Sequence, residues 1–401
     1  MAVAVAKPES GAACTGVTAA KGFVAAGVHA GIRRSSPDLA VVRSAIPAVG
    51  AGMFTANRVQ AAPVLVSRAH LGQAQPQAVV INSGVANAAT GRRGELDALE
   101  TAAAAARLLG LEAEHVLVLS TGVIGAPLPL DKVVAGLADA VPQLAADGGP
   151  GAAAAIMTTD TRPKQSSVSR GGFTVGGMAK GAGMIHPHLA TMLAVLTTDY
   201  PLEAGEADRF LRPVVNESFN RISVDGDCST NDTVILLANG ASGVRRTSGT
   251  DVDFAAALRE VCADLAEQIV TDGEGATVLL EIDVRGAASP GEANAIARRI
   301  ATSSLVKTAA FGRDPNWGRI LAAAGSAFVG GGFAQLDPER LKLWINGTLV
   351  FAEGAPTGVE LKLDGAVCTI ELDLGLGSSN ASYLASDLTY DYVQINAEYH
   401  T

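Results

Sequence analysis

The chain has 401 residues, enough for two or three domains or one large layered core, and its formal charge of −10 disfavours nucleic acid, whose binding needs Lys and Arg against phosphate. Hydrophobic residues make up 48% and charged residues 17%, the balance of a folded chain; aromatics at 4% and 45 glycines describe a core of small side chains. No run approaches 18 apolar residues, no cationic leader opens the chain, and Cys14, Cys228, Cys262 and Cys368 form no close pair, so a soluble protein of the reducing cytoplasm is expected.

Residues 1–20 read as a loose arm. Apolar stretches at 39–42 and 61–66 read as strands broken by Gly and Pro. Residues 78–81 read as a compact buried strand ending in Asn82-Ser83-Gly84, and an Ala/Leu helical pattern over 95–110 stops at Gly110. A strand at 115–119 and a helix at 131–144 follow, and 150–156 leads into Met157-Thr158-Thr159-Asp160. After residue 191 the pattern predicts helices at 208–219, 254–270 and 293–303, and strands at 233–237, 278–284, 341–345 and 366–374. This alternation lacks a strict strand–helix–strand rhythm, which favours layered α+β architecture over a doubly wound sheet. Gly148-Gly149-Pro150-Gly151 and Pro290-Gly291 are the most linker-like places, and neither is strong enough to mark a domain boundary.

Common catalytic signatures are absent: there is no G-x-S-x-G elbow, no G-x-x-x-x-G-K-[ST] loop and no G-x-G-x-x-G after a strand. His186 and His188 flank Pro187, but two such residues in one loop make no metal site without further ligands. Asp225, Asp227 and Asp232 stand as in half a calcium loop that lacks its central Gly and terminal Glu, so they read as a turn whose side chains bond their own backbone.

One hydroxyl stands apart. Thr191 lies between the Gly-rich, Pro-containing stretch 176–190 and the apolar run 192–196. On β-propensity alone it is an ordinary strand residue. An amino-terminal Thr, however, carries its own base, because an α-amine with a pKa near ~8 can take the hydroxyl proton. While that amine is locked in the Ala190–Thr191 bond, a strained Gly-Met-x-x-Pro loop would help the hydroxyl attack the preceding carbonyl, and hydrolysis after the acyl shift would free the amine. The apolar strand at 116–119 empties into Ser120-Thr121-Gly122, whose Thr121 hydroxyl and open Gly122 amide suit an oxyanion; an ordinary strand-to-helix turn is the plainer reading. By residue type alone, Lys180 and Glu274 read as surface charges.

The pattern K-G-x-G-M-x-x-P-x-x-A-T-M-L at 180–193 resembles the self-cleavage and nucleophile motif of the bifunctional ornithine acetyltransferase (glutamate N-acetyltransferase, ArgJ) family of arginine biosynthesis. Segments 82–87, 120–125, 157–161, 229–232, 272–275, 307–309, 314–319 and 396–401 also look like that family's, so the resemblance spans nearly the whole chain. It implies an α+β layered sandwich, a DmpA/ArgJ-like fold with an autocatalytically generated N-terminal Thr nucleophile. Self-cleavage between Ala190 and Thr191 would leave residues 1–190 as an α chain and 191–401 as a β chain, interleaved in one fold.

The resemblance also implies roles. Thr191 would be the nucleophile, Thr121 and Gly122 the oxyanion hole, and Thr158, Lys180, Thr191, Glu274, Asn396 and Thr401 the substrate-binding set. Acetyl would pass by ping-pong from N2-acetylornithine through Thr191 to glutamate, with acetyl-CoA as a further possible donor. No metal or organic cofactor, nucleic acid or membrane is implied, and the fragments would associate as a heterotetramer, two α with two β chains. Two departures stand out: His186 and His188 at variable positions of the loop, and Ala89 where the family often has Cys. Neither falls on a catalytic position. Two other readings keep the nucleophile: a same-fold paralogue serving a specialised-metabolite pathway, and an N-terminal-nucleophile peptidase or amidase with water as acceptor.

Overall fold

A computed structural model describes residues 15–186 and 192–398. Strands β1 (Phe23–Val28), β2 (Leu39–Ser44) and β3 (Val49–Phe54) precede helix α1 (Ala62–Leu71). Next come β4 (Ala78–Val85), α2 (Gly91–Leu109), β5 (Val116–Val123), α3 (Leu130–Ala140) and α4 (Gly149–Ala155). A hairpin of β6 (Lys164–Arg170) and β7 (Phe173–Lys180) leads towards β8 (Leu193–Thr198), α5 (Ala207–Glu217), β9 (Thr233–Ala238) and α6 (Ser248–Thr271). The remainder holds β10 (Leu279–Ala287), α7 (Pro290–Ala301), α8 (Ser304–Phe311), α9 (Trp317–Gly325), β11 (Lys342–Ile345), β12 (Thr348–Ala352), β13 (Val367–Asp373), β14 (Ser379–Ser386) and α10 (Tyr390–Glu398).

Two sheets stack face to face between helices. The first has strand order β1-β2-β4-β5 and the second β3-β9-β8-β7-β6. Strands β2, β5, β8 and β9 are largely apolar on both faces, as strands covered on both sides must be, whereas the edge strand β6 is polar. In β5, Leu117 and Leu119 point into the core between the sheets, while Val116 and Val118 point at the layer of α1, α2 and α3. In β8, Leu193 and Val195 enter the same central core, and Ala194 and Leu196 face the layer of α5 and α6. A third sheet, in which β10 runs parallel to β13 and antiparallel to β14, packs its own core against α7, α8 and α9. The layered α+β sandwich expected from the sequence is therefore what forms.

Local caps explain the helix ends. α2 stops where Gly110 takes φ +69°, and α6 starts at a capping box in which Thr247 and Thr250 bond reciprocally. Two expectations fail. Residues 61–66 begin helix α1 instead of a strand: Pro63 sits in its first turn, and Ala62, Val66 and His70 fall on one buried face, a period that so short an apolar run cannot announce. Residues 16–18 are no loose arm but a buried 3₁₀ turn; a Cβ on Gly176 would lie 2.0 Å from the Gly16 carbonyl oxygen, so the turn packs directly on β7. The linker-like glycines open α4 and α7 instead of joining domains. Among the described residues no helix is long and apolar enough to cross a membrane.

Candidate active site

A pocket of about 570 Å³, counting its solvent-open mouth, forms where the carboxyl ends of β5 and β7 meet segments 183–184 and 229–231. Thr121, Gly122, Thr158, Lys180, Glu274 and Asn396 all line it, residues scattered over 276 sequence positions from 121 to 396. Ala190, Thr191 and Thr401 lie outside the described residues.

The β5 end is not the strand-to-helix turn of the plainer reading, because the strand runs on to Val123. Gly122 has φ +130°, and a Cβ there would stand 2.2 Å from the Gly84 carbonyl carbon, so the residue must be Gly for β4 and β5 to close up. The Asn231 amide ties the two strand exits together, donating to the Ala86 carbonyl at 2.6 Å and the Ser120 carbonyl at 2.8 Å. The Thr121 oxygen accepts from Lys180 Nζ at 3.3 Å, which leaves its own hydrogen free to donate.

Lys180 is 2% exposed, which overturns its reading as a surface charge; it closes β7, a strand of the second sheet buried between the first sheet and α6. Burial holds its ammonium below the ordinary lysine value, while the carboxylates of Asp160, Asp232 and Glu274 favour the charge. Beneath it lies a buried ion cluster. Lys164 Nζ stands 2.6 Å from both Asp160 and Asp272. Asp160 also accepts from the Gly181 N–H at 2.7 Å and the Thr158 N–H at 2.9 Å. Burial raises the Asp160 carboxyl, but Lys180, Lys164 and these bonds outweigh it and hold the pKa at about 2. Arg33 grips the same turn from the other side through the Met157 and Thr158 carbonyls at 2.8 and 3.3 Å.

Across the pocket Glu274 is half-buried and accepts from the Asn396 side chain of α10 at 2.7 Å. Its carboxylate lies so close to Gly183 that a Cβ there would meet Oε2 at 2.4 Å. Asp225 accepts from the N–H groups of Met184 and Ile185, and Met184 takes φ +58°, a strained value outside Gly. Burial pushes the Asp225 carboxyl up to about 6. The turn read from residues 225–232 does bond its own backbone, Asp227 N–H to Asp225 and Asn231 N–H to Ser229 Oγ, and it anchors the loop leading to residue 187 as well.

Asp160, Lys164, Asp272 and Asn231 are the supports that reading the sequence passes over. Asp160, Asp272 and Asn231 sit inside quoted motif segments, but Lys164 has no local signal, since a Lys in Lys164-Gln165-Ser166-Ser167 reads as solvent-facing.

The ArgJ family profile matches residues 24–401. The arginine biosynthesis bifunctional protein ArgJ of Symbiobacterium thermophilum is 46% identical over 96% of this chain and 98% of that protein. Its counterpart from Streptomyces coelicolor is 48% identical, over 96% and 99%. Among solved structures, ornithine acetyltransferase from Mycobacterium tuberculosis complexed with ornithine is 47% identical, covering 43% of this chain and 95% of that one with a TM-score of 0.42. On the extent and identity of the sequence matches, this chain belongs to the ArgJ family.

Proposed function

We propose that the protein transfers acetyl from N2-acetylornithine to glutamate, giving ornithine and N-acetylglutamate, as expected of an acyltransferase of arginine biosynthesis. The observation that carries this reading is the convergence of the Thr121 hydroxyl, Gly122 and the buried Lys180 ammonium in one pocket. That pocket also includes Gly183 and Met184, which lead into the Ala190-Thr191 segment.

In this mechanism the chain first cuts its own Ala190–Thr191 bond, leaving fragments 1–190 and 191–401. The Thr191 oxygen attacks the acetyl carbon while its α-amine takes the hydroxyl proton and passes it to the departing ornithine nitrogen. Thr121 O–H and Gly122 N–H donate to the oxyanion, an interaction worth about 3–4 kcal/mol for each donor. The glutamate amine then attacks the acetyl ester and regenerates Thr191. Lys180 pairs with the α-carboxylate common to both substrates, and Glu274, steadied by Asn396, holds the ornithine side-chain ammonium. Thr158 and Thr401 add neutral hydrogen bonds. Acetyl-CoA serves as a second donor, and two copies of each fragment assemble as a heterotetramer in the cytoplasm.

Purified protein given N-acetylornithine alone should gain one acetyl mass on the fragment beginning at Thr191, and added glutamate should remove it. Net release of acetate without transfer to glutamate would instead establish an amidase. Parallel assays with acetyl-CoA decide whether it is a donor.

A further inference from the structure

β8 and β9 run parallel with Leu193 opposite Thr233, which sets Met192 opposite Asp232. Both polar groups of Met192 are held there: its N–H donates to Asp232 Oδ1 at 3.0 Å, and its carbonyl accepts from the Thr233 N–H at 3.2 Å. The Thr191 nitrogen is three covalent bonds from the Met192 nitrogen, hence within about 4 Å of the atom that Asp232 grips. Asp232 is 0% exposed, and among the described residues its other oxygen, Oδ2, has no close hydrogen bond, although the Ser229 and Thr55 hydroxyls act on the carboxyl. Native folds seldom leave a buried carboxyl oxygen unpaired, because its lost hydration goes uncompensated, so such an atom asks for a role.

Its neighbours define what that role can be. Burial pushes the Asp232 carboxyl well above the ordinary carboxylate range, although the Met192 N–H, the Lys180 ammonium and the Ser229 and Thr55 hydroxyls favour the anion. Cys228 is the other titratable neighbour, and burial raises its thiol too. Burial thus favours the protonated form of a carboxyl that grips the residue next to the proposed scissile bond.

We propose that Asp232 is the acid–base partner of the Thr191 nitrogen in self-cleavage, an inference that rests on the self-cleavage proposed above. The Thr191 oxygen forms a bond to the Ala190 carbonyl carbon and the carbon–nitrogen bond breaks. The departing nitrogen takes the proton from Asp232, and the proton released by the hydroxyl restores the carboxyl. Water then hydrolyses the ester to the Ala190 carboxylate and a free Thr191 hydroxyl. The new α-amine then pairs with the Asp232 carboxylate.

The test is a cleavage time course by intact mass on full-length wild type, Thr191→Ala, Asp232→Asn and Asp232→Glu. Asp232→Asn keeps an acceptor for the Met192 N–H but has no proton to give, so cleavage should slow roughly 10²-fold with the melting curve retained. Asp232→Glu should recover at least about tenfold of that loss. The wild-type rate should fall as pH rises through the carboxyl's titration, while Asp232→Asn lacks that limb. Wild-type speed in Asp232→Asn, or equal slowing in both variants, overturns the inference and leaves self-cleavage standing. If neither variant folds, the wild-type profile decides: a rate flat or rising with pH overturns it. A wild type that never splits, or a Thr191→Ala chain that still does, removes the self-cleavage reading and this inference with it.

Discussion

Replacing Asp160 by Asn probes the support beneath the pocket. One carboxylate there serves three donors: Lys164 Nζ at 2.6 Å, the Gly181 N–H at 2.7 Å and the Thr158 N–H at 2.9 Å. An amide has one oxygen, so whichever way Asn turns, its NH₂ confronts at least one donor, and Lys164 loses one of its two counter-charges. Removing one partner of a buried pair costs about 3–5 kcal/mol. At roughly 2.1 cal/mol/K of unfolding entropy per residue, a chain of this length should lose about 4–6 °C in melting temperature. The pH dependence gives an independent reading. The Asp160 carboxyl titrates at about 2 when folded against an ordinary 3.8, so its contribution of about 2 kcal/mol is full above the ordinary value and disappears as pH falls through about 2. Wild type should show this acid limb in a melting series from pH 6 to pH 2, and Asp160→Asn should lack it. A variant that melts within 1 °C of wild type and keeps the same acid limb would refute the account of the Lys164 cluster.

Thr121→Ala should lower kcat by roughly 10²–10³ with a smaller effect on KM, measured as acetyl transfer to glutamate; an unchanged kcat removes Thr121 from the oxyanion hole. Deleting residues 396–401 takes away the Asn396 side chain that bonds Glu274 at 2.7 Å, so substrate use should weaken strongly while the melting curve stays cooperative. Full activity after that truncation would remove both Asn396 and Thr401 from the pocket.

Much of the sandwich was legible because buried strands announce themselves. Ala78-Val79-Val80-Ile81 and Thr233-Val234-Ile235-Leu236-Leu237 are unbroken apolar runs, and strands covered by helices on one side and a sheet on the other need apolar residues on both faces. The β6–β7 hairpin was not legible: β6 carries Lys164, Gln165, Ser166 and Ser167, and β7 carries Gly176 and Gly177. Those glycines are set by close neighbours from distant segments, the Gly16 carbonyl and the Leu196 side chain.

The site divides the same way. Motif segments at 120–125, 180–193 and 272–275 drew attention to Thr121, Gly122, Lys180 and Glu274 through residue identity alone. Their gathering in one pocket, the burial of Lys180, the charge cluster of Asp160, Lys164 and Asp272, and the grip of Asp232 on Met192 were decided only by tertiary structure. The physical reason is range. Periodicity and turn chemistry act over a few residues and are written locally, whereas the environment of a charge also depends on groups far away in the chain. Lys164 meets Asp272 across 108 residues, and no local pattern distinguishes such a lysine from one in water.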